Sequence, residues 1–360
     1  RASFAYCVEQ CRQQNEGVEA IVFYENPLIK FNRIVTDGIS QGDNAYPEFE
    51  NAFCKWTGHY LYQVTEIKLA INDVIPSFDC DNNLYFCEHH VSHAASAFYP
   101  SPFSDAAVLT FDGVGERATA TLSLGDKNRL SVLKEMHFPN SLGLLYSAFT
   151  FYTGFKVNSG EYKMMGLAPY GKPIYKEFIK DHIVEIQDDG NFFINQRFFD
   201  GFSKRGIFNQ DFEELFGQPR RAEDSEIEPF YADVAASIQT VVEEILTKTV
   251  DFVQKEHNVQ RLCMAGGVAL NSVANGKILE QCDLKGFWVQ PAPGDAGGSL
   301  GCALYHHHSS LDRPRQVNGR TDQMKSALLG PEYSVADMRA ALDELGASYE
   351  FIGQEEIFET

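Results

Sequence analysis

Apolar residues recur along the chain in two spacings, and each spacing predicts one type of element. Residues 229–257 carry apolar side chains every three or four positions, which predicts one long amphipathic helix. A shorter helix is predicted over 3–15, and another over 89–98 that ends before Pro100. Compact apolar runs rich in β-branched residues predict buried strands over 18–26 and 83–90.

Residues 106–137 form three β-type segments separated by turns that contain glycine. The turns read Asp-Gly-Val-Gly and Gly-Asp, which predicts an antiparallel meander with strands over 106–111, 117–124 and 128–137. No comparable strand-rich stretch is expected before residue 262, where a short strand, a double-glycine turn and a helix begin. A strand predicted over 286–293 leads through further glycines into another helix. Strands that alternate with helices beside a meander predict an α/β fold with mixed sheets.

The composition changes after residue 311, which predicts a domain boundary. Proline, arginine, glycine and glutamine accumulate there, as they do in linkers. Ser334 is placed to cap a following helix, and residues 348–353 have the composition of a strand. We therefore expect a domain over 1–311 with two subdomains that divide near residue 105, a linker over 312–333, and the start of a second domain over 334–360.

The charge of the chain restricts its partners. It has 50 acidic and 30 basic residues among 360, a formal charge of −20 at pH 7, and this charge repels phosphate backbones and anionic membranes. No apolar run approaches the length of a membrane span. The eight cysteines include no Cys-x-x-Cys pair, which indicates buried free thiols in a reducing cytosol. We expect a cytoplasmic protein that binds neither nucleic acid nor membranes.

Two histidines and two aspartates form the candidate metal site. His89 and His93 are four residues apart on a predicted helix, so both imidazoles project from one face. His90 stands where HExxH zinc proteases carry their catalytic glutamate, which disfavours peptide hydrolysis. Asp112 and Asp295 lie in glycine-rich turns. Together they suit Fe(II), Mn or Zn, and the alternative is packed histidines with turn-capping aspartates.

Glycine-rich turns at the starts of helices are the candidates for holding a nucleotide. Glycines let a ligand approach the backbone N–H groups at the positive end of a helix. A carboxylate and an ammonium among the glycines of 158–171 suit a ribose hydroxyl and a phosphate. Plain turns and a surface ion pair are the alternative. The candidate residues are Gly113, Gly115, Gly160, Glu161, Lys163, Gly266, Gly267 and Gly294.

Six segments, in this order, resemble the O-carbamoyltransferase family that includes NodU, CmcH and TobZ. They are EHHVSHAASAFYPSPF, LTFDGVGERATATLSLG, SLGLLYSAFTFYTGF, GEYKMMGLAPYGKP, MAGGVALN and PAPGDAGGSLGCAL. The resemblance implies a first domain like the TsaD-type enzyme of tRNA threonylcarbamoylation, with the two-lobed fold of actin, sugar kinases and heat-shock chaperones (ASKHA). It also implies that the family's first strand, which carries a His-Asp pair, lies upstream of Arg1, and that a YrdC-like second domain begins within 334–360.

The reaction that this resemblance implies has two steps. The YrdC-like domain makes carbamoyladenylate from carbamoyl phosphate and ATP, and the first domain transfers the carbamoyl group to a hydroxyl of a small molecule such as an antibiotic or a sugar. The implied ligands of an iron ion, which polarises the carbamoyl carbonyl, are His89, His93, Asp112 and Asp295. The implied nucleotide contacts are Gly266, Gly267 and Asn271 at the adenosine, and Glu161 and Lys163 at the ribose or phosphate. Asn271 is expected one turn inside the helix that follows the double glycine, where it can point back at the ligand.

Two other functions stay open at this stage. One is threonylcarbamoylation of tRNA, against which the charge of −20 and the lack of a basic stripe weigh. The other is a non-catalytic ASKHA module that binds a nucleotide and acts through a protein partner. Consumption of carbamoyl phosphate in the presence of ATP by the full-length protein would discriminate between these functions. A homodimer is also left open, and the activity of the chain without the rest of its second domain is in doubt.

Overall fold

The structure is a computed structural model that describes residues 2–40, 54, 57–58, 62–199, 207–324 and 327–353. Two compact units separate within it, Arg1–Asp322 and Gln323–Thr360, and the boundary falls inside the segment predicted as a linker. Arg1 and residues 354–360, which belong to the two predicted domains, lie outside the described residues.

The elements of the first unit alternate between short strands and helices of very different length. Its helices are α1 Ala2–Gln13, α2 Pro27–Ser40, α3 Gln63–Asn72, α4 Cys80–Asn83, α5 His89–Phe98, α6 Leu142–Tyr152, α7 Glu161–Leu167, α8 Lys176–His182, α9 Gln210–Phe216, α10 Pro229–His257, α11 Ser272–Gln281 and α12 Gly298–Tyr305. Its strands are β1 Ile21–Phe23, β2 Leu84–Phe86, β3 Asp105–Phe111, β4 Ala118–Asp126, β5 Arg129–His137, β6 Val184–Ile186, β7 Phe192–Ile194, β8 Arg261–Ala265 and β9 Gly286–Val289. Single turns of 3-10 helix cover Ala168–Tyr170, Gln196–Phe198, Gly267–Leu270 and Asp295–Gly297, and a π-type turn covers His306–Ser310.

A five-stranded mixed sheet lies at the centre of the first unit. Its strand order is β5-β4-β3-β8-β9; β3, β4 and β5 pair antiparallel, whereas β8 and β9 run parallel to β3. Ala106 and Val108 face one hydrophobic core, and Ala107, Leu109 and Phe111 face the other. Helices cover both faces, which is why β3 is apolar at successive positions. The predicted meander and the mixed α/β sheet are confirmed.

The long helix α10 confirms the prediction from apolar spacing. Val234, Ile238 and Ile245 on its apolar stripe are fully buried. The hydroxyl of Thr249, the one polar residue of that stripe, donates to the Ile245 carbonyl at 2.8 Å, so the helix itself satisfies this group. Among the described residues, no helix combines the length and the apolar character that a membrane crossing requires.

Three predictions about strands are wrong. β1, β2 and β9 are shorter than expected, because they pair over only three or four residues. β6 and β7 form a hairpin where no strand was expected, since strands of three residues are too short to produce a recognisable alternation. Residues 348–353 form no strand, because no described segment of the second unit pairs with them.

The second unit contains one described helix, α13 Val335–Glu344. Its cap matches the prediction, because the Ser334 hydroxyl accepts from the Asp337 N–H and the Asp337 carboxylate accepts from the Ser334 N–H.

The cysteines depart in part from the expectation of buried thiols. None of the eight forms a disulfide, and those that are buried are Cys80, Cys87, Cys263, Cys282 and Cys302. Cys7 and Cys54 are exposed and Cys11 is half-buried. Cys7 and Cys11 lie on α1, which buries only Val8 fully and therefore leaves most of its faces open.

The end of the first unit is fastened by Arg315. Its guanidinium donates to the carbonyls of Phe98, Tyr99, Ser101 and Phe103 at 2.6 to 2.8 Å. It also stacks 4.4 Å from the centre of the Phe98 ring, a cation–π contact. Residues beyond α12 are thereby attached to the C-terminal end of α5.

Candidate metal centre

Helix α5 brings both candidate histidines into a buried position. Glu88 is its N-cap residue but makes no side-chain cap. The buried carboxylate of Glu116 takes that role, because it accepts from the His89 N–H at 3.0 and 3.1 Å and from the Asn26 N–H at 2.7 Å. A negative charge at the start of a helix is favourable. Glu116 therefore ties α5 to the turn before β4 and to the chain after β1.

Four side chains converge at this point from three parts of the chain. The Nε2 atoms of His89 and His93 are 3.0 Å apart. An Asp112 oxygen lies 2.9 Å from the first and 3.5 Å from the second, and an Asp295 oxygen lies 3.5 Å from each. All four donor atoms lie within 4.8 Å of one another.

The spacing and chemistry of these donors fit a divalent metal. Ligands at about 2.1 Å from one ion, set at roughly tetrahedral or octahedral angles, are about 3.0 to 3.4 Å apart. The five donor distances given above fall near that range, from 2.9 to 3.5 Å. Two imidazoles and two carboxylates form a set that suits iron, manganese or zinc. His89, His93, Asp112 and Asp295 can therefore hold such an ion.

The electrostatics of the cluster show what a cation would replace. Burial disfavours the charged form of His93, but hydrogen bonds to Asp112 and Asp295 outweigh it and raise the pKa of His93 to about 9. Although Asp112 is also desolvated by burial, contacts with the two histidines hold the pKa of its carboxyl well below the usual range. The hydrogen bond from His93 lowers the pKa of Asp295. Since metals bind neutral imidazole, an ion would displace the proton of His93.

The double-glycine turn after β8 positions Asp112. The N–H of Gly267 donates to the Asp112 carboxylate at 3.0 Å. Gly266 has φ +88°, and a Cβ there would lie 2.2 Å from the Phe111 carbonyl oxygen, so only glycine lets the turn pass so close to β3. The turn thus orients a candidate metal ligand through a backbone amide, a role that the sequence did not indicate.

The other candidate glycines differ in how much room surrounds them. A Cβ on Gly115 would lie 2.9 Å from His89 Cβ, so this glycine allows the turn to pack on the histidine. A Cβ on Gly113 would meet Leu144 at 3.7 Å, and one on Gly294 would meet nothing within 4 Å. Gly294, next to Asp295 in sequence, therefore adjoins open space, whereas Gly113, next to Asp112, packs against Leu144.

Asn271 does not lie one turn inside a helix, as its spacing had suggested. A 3-10 turn follows Gly266, so α11 begins later and Asn271 is its N-cap residue, accepting from the Ala274 N–H at 3.0 Å. Its amide also exchanges two hydrogen bonds with Gln239, at 2.9 and 3.1 Å. Gln239 in turn accepts from the Tyr146 hydroxyl at 2.9 Å. Asn271 is thus held in a buried network below the turn.

Glu161 and Lys163, the candidate pair, differ in their surroundings. The Glu161 carboxylate accepts from the Ser147 hydroxyl at 2.9 Å and from the N–H groups of Asn158 and Gly160 at 2.9 and 3.2 Å. It therefore fixes the loop before α7. Lys163 is exposed, and its ammonium lies 6.0 Å from the centre of the Tyr162 ring.

The sequence analysis did not identify four residues that contact the candidate site residues. Glu116 follows the glycine turn that was singled out, but a turn carboxylate gives no sign that it will cap a distant helix. Gln239 is one of many polar residues of the amphipathic helix α10, so its position in the sequence gave no signal either. Tyr146 and Ser147 are successive residues of α6 that contact the Asn271 network and Glu161 respectively.

Replacing Glu116 tests its role in holding α5. In Glu116→Gln the negative charge at the start of α5 is lost, and the oxygen that becomes an NH2 group no longer accepts from the His89 N–H. We expect metal affinity to fall by about tenfold, as for other groups that orient ligands. Competition with a chromophoric chelator measures the affinity. Glu66→Gln, at an exposed position on α3, is the matched control. Equal affinities in the two folded variants would contradict the role assigned to Glu116.

Comparison with known proteins places this site in context. A family model described as Carbamoyltransferase N-terminus matches residues 2–304. An uncharacterized protein of Synechocystis sp. is 43% identical over 359 residues, which are 98% of this chain and 58% of that protein. The nodulation protein NolNO of Sinorhizobium fredii is 29% identical over 308 residues, 84% of this chain and 41% of that protein. The chain spans about half the length of these relatives.

Solved structures offer a much more distant likeness. Full-length HypF in its phosphate- and nucleotide-bound form aligns with 66% of this chain and 44% of its own, with 15% identity and a TM-score of 0.40. A likeness at this level has no bearing on the chemistry of the cluster.

Proposed function

This chain belongs to the carbamoyltransferase family, through the N-terminal part of that family, and from that membership we propose that it transfers a carbamoyl group at the cluster of His89, His93, Asp112 and Asp295. The acceptor in this proposal is a hydroxyl of a small molecule. The observation that carries the proposal is the convergence of four metal-type donors within 4.8 Å of one another, beside the double-glycine turn whose Gly267 N–H holds Asp112.

The residues of the chain have distinct tasks in this proposal. A divalent ion, Fe(II) on the family resemblance, would supply positive charge to the carbonyl oxygen as it becomes negative. Asp112 is oriented for this by the Gly267 N–H, and His89 by the carboxylate of Glu116 at the start of its helix. Gly113 and Gly294 would approach the phosphate of the donor, since the Gly266 N–H donates to the Pro293 carbonyl and the Gly267 N–H to Asp112. No base is assigned among the described residues.

The donor that we propose is carbamoyladenylate. On the resemblance, it is made from carbamoyl phosphate and ATP by a YrdC-like domain whose start is 334–360, while the first unit is an ASKHA domain of two lobes. Gly113, Gly266, Gly267 and Gly294 would then lie along the nucleotide, with Glu161 and Lys163 at the ribose or phosphate. Asn271 supports that surface from below, since its amide is already bonded to Gln239.

The division of labour between the two domains is directly testable. This chain should not catalyse carbamoyl-phosphate-dependent exchange of pyrophosphate into ATP, because we assign adenylate formation to the part of its longer relatives that this chain does not match. The full-length protein should catalyse it. Exchange of radiolabelled pyrophosphate measures the step. Exchange by the 360-residue chain alone would contradict the assignment of adenylate formation to the second domain.

Lys163 gives a clean test of nucleotide binding, because its side chain is exposed. We expect Lys163→Ala to weaken ADP binding about tenfold, or about 1.4 kcal/mol, by removing a charge near phosphate, while the melting temperature stays unchanged. Calorimetry measures the affinity, and Lys285→Ala is the control, since Lys285 is exposed and precedes the start of β9, at the opposite end of that strand from the turn at Gly294. Unaltered ADP affinity in Lys163→Ala would remove Lys163 from the site.

A further inference from the structure

The four donors of the metal cluster are very unequally exposed to solvent. The side chains of His89, His93 and Asp112 are 6%, 0% and 16% exposed. The side chain of Asp295 is 64% exposed. Three donors therefore lie in the protein interior, and the fourth lies at its surface. The cluster is open to solvent on the side of Asp295, so a ligand that comes from solvent meets this carboxylate first.

The three buried donors are held in place by other parts of the chain. The Asp112 carboxylate accepts from the Gly267 N–H at 3.0 Å. The His89 N–H donates to the Glu116 carboxylate, which fixes the first turn of α5, and His93 lies one turn further along that helix. Packing and hydrogen bonds thus fix these three donors independently of an ion.

The carboxylate of Asp295 has no such support among the residues that the structure describes. It lies 3.5 Å from Nε2 of His89 and 3.5 Å from Nε2 of His93, and no backbone N–H donates to it. A Cβ on Gly294, the preceding residue, would meet nothing within 4 Å. The exposed side chain and the open space beside Gly294 leave this carboxylate room to move.

Three donors are enough to hold a divalent ion. Two histidines and one carboxylate bind Fe(II) in many oxygenases, and this set leaves coordination positions open to a further ligand. His89, His93 and Asp112 form such a set, with donor distances from 2.9 to 3.5 Å. A second carboxylate adds negative charge to the cluster, but the set is complete without it.

We propose that His89, His93 and Asp112 hold the ion, and that Asp295 is an exchangeable donor on its open side. Asp295 gives way to an anionic ligand that approaches beside Gly294. The inference rests on the proposed function for the presence of the ion. The difference between the two aspartates rests on their exposure and hydrogen bonds in this chain.

The same substitution at the two aspartates of the 360-residue chain tests this division. We expect Asp112→Asn to lower the affinity for Co(II) at least about 100-fold, and Asp295→Asn to lower it about tenfold or less, because only the first removes a fixed donor. Competition with a chromophoric chelator measures both affinities, and thermal melting shows whether each variant is folded. If Asp112→Asn does not fold, His89→Ala is the reference. A loss in Asp295→Asn as large as in the reference would overturn the inference.

Inorganic phosphate tests whether Asp295 gives way to an anion. With Co(II) bound, we expect phosphate to bind Asp295→Asn about fivefold more tightly than the parent chain, because no carboxylate then competes with it or repels it. The visible absorption of Co(II) follows the titration. Glu88→Gln is the control, since it removes a negative charge next to His89 in the chain but no donor of the cluster. Equal phosphate affinities in these two variants would contradict the exchange.

The metal measurements also separate this inference from the proposed function. A parent chain that binds no Co(II) would overturn both. A parent chain that binds Co(II), and loses it equally in both aspartate variants, would keep the metal centre of the proposed function and overturn the exchangeable role of Asp295.

Discussion

Loss of the metal and of carbamoyl transfer is the expected result of either His89→Ala or His93→Ala. Each change removes one of the four donors and leaves the two aspartates facing each other with one fewer positive partner. We expect metal affinity to fall by at least about 100-fold, since even groups that only orient a ligand cost 10 to 100-fold. Transfer by the full-length protein should fall by at least the same factor, because stabilisation of the developing charge is lost.

Elemental analysis of anaerobically purified protein measures the first effect, and turnover of carbamoyl phosphate measures the second. His182→Ala is the control, since His182 is exposed on α8 and its ring contacts the Phe178 carbonyl and the Phe178 ring rather than the cluster. His93 is fully buried, so far-ultraviolet circular dichroism must show that the variant is folded. A folded His89→Ala and a folded His93→Ala that both retain a full equivalent of metal would end the assignment of the cluster.

A large loss of stability is expected from Gly301→Ala. Alanine normally favours a helix over glycine by about 1 kcal/mol. In α12, however, a Cβ at position 301 would lie 1.8 Å from the carbonyl oxygen of Ser92, a backbone atom of α5. The two helices would have to separate, at a cost of about 3 kcal/mol or more. Because Asp295 precedes α12 and the histidines lie on α5, folded Gly301→Ala should also bind metal less tightly.

Gly276→Ala is a control with the opposite expected sign. Gly276 lies inside α11, and a Cβ there would meet nothing within 4 Å. The same substitution should therefore stabilise the chain by up to about 1 kcal/mol. Chemical denaturation of both variants measures the difference. Similar free energies of unfolding for the two variants would show that the close approach of α5 and α12 does not limit stability.

The elements with long regular patterns could be predicted from the sequence. α10 and α5 were predicted with the bounds that they have, because each is set by a continuous run of helix-compatible positions. The meander followed from its turns. β6 and β7 could not be found this way, since strands of three residues are defined by their pairing rather than by their own pattern.

The candidate site was predictable residue by residue but not as an arrangement. The spacing of His89 and His93 indicates one face of one helix, whereas the approach of Asp112 and Asp295 depends on the sheet order and on the packing of α12. The position of Asn271 was wrong by one turn, because a 3-10 segment before α11 leaves no signature in composition. Glu116 was missed because its partner, the start of α5, is distant in sequence.

Arg315 determines where the first unit can be joined to the second unit of a relative in a chimeric protein. Composition alone would place a junction for such a chimera at residue 312, which assigns Arg315 to the wrong half. The four carbonyls that Arg315 satisfies belong to the segment from Phe98 to Phe103. A junction at residue 312 would therefore take Arg315 from one parent protein and the carbonyls that it binds from the other. A recombined protein that keeps residues through Asp322 together inherits the first unit whole, and only the residues after Asp322 are then exchanged.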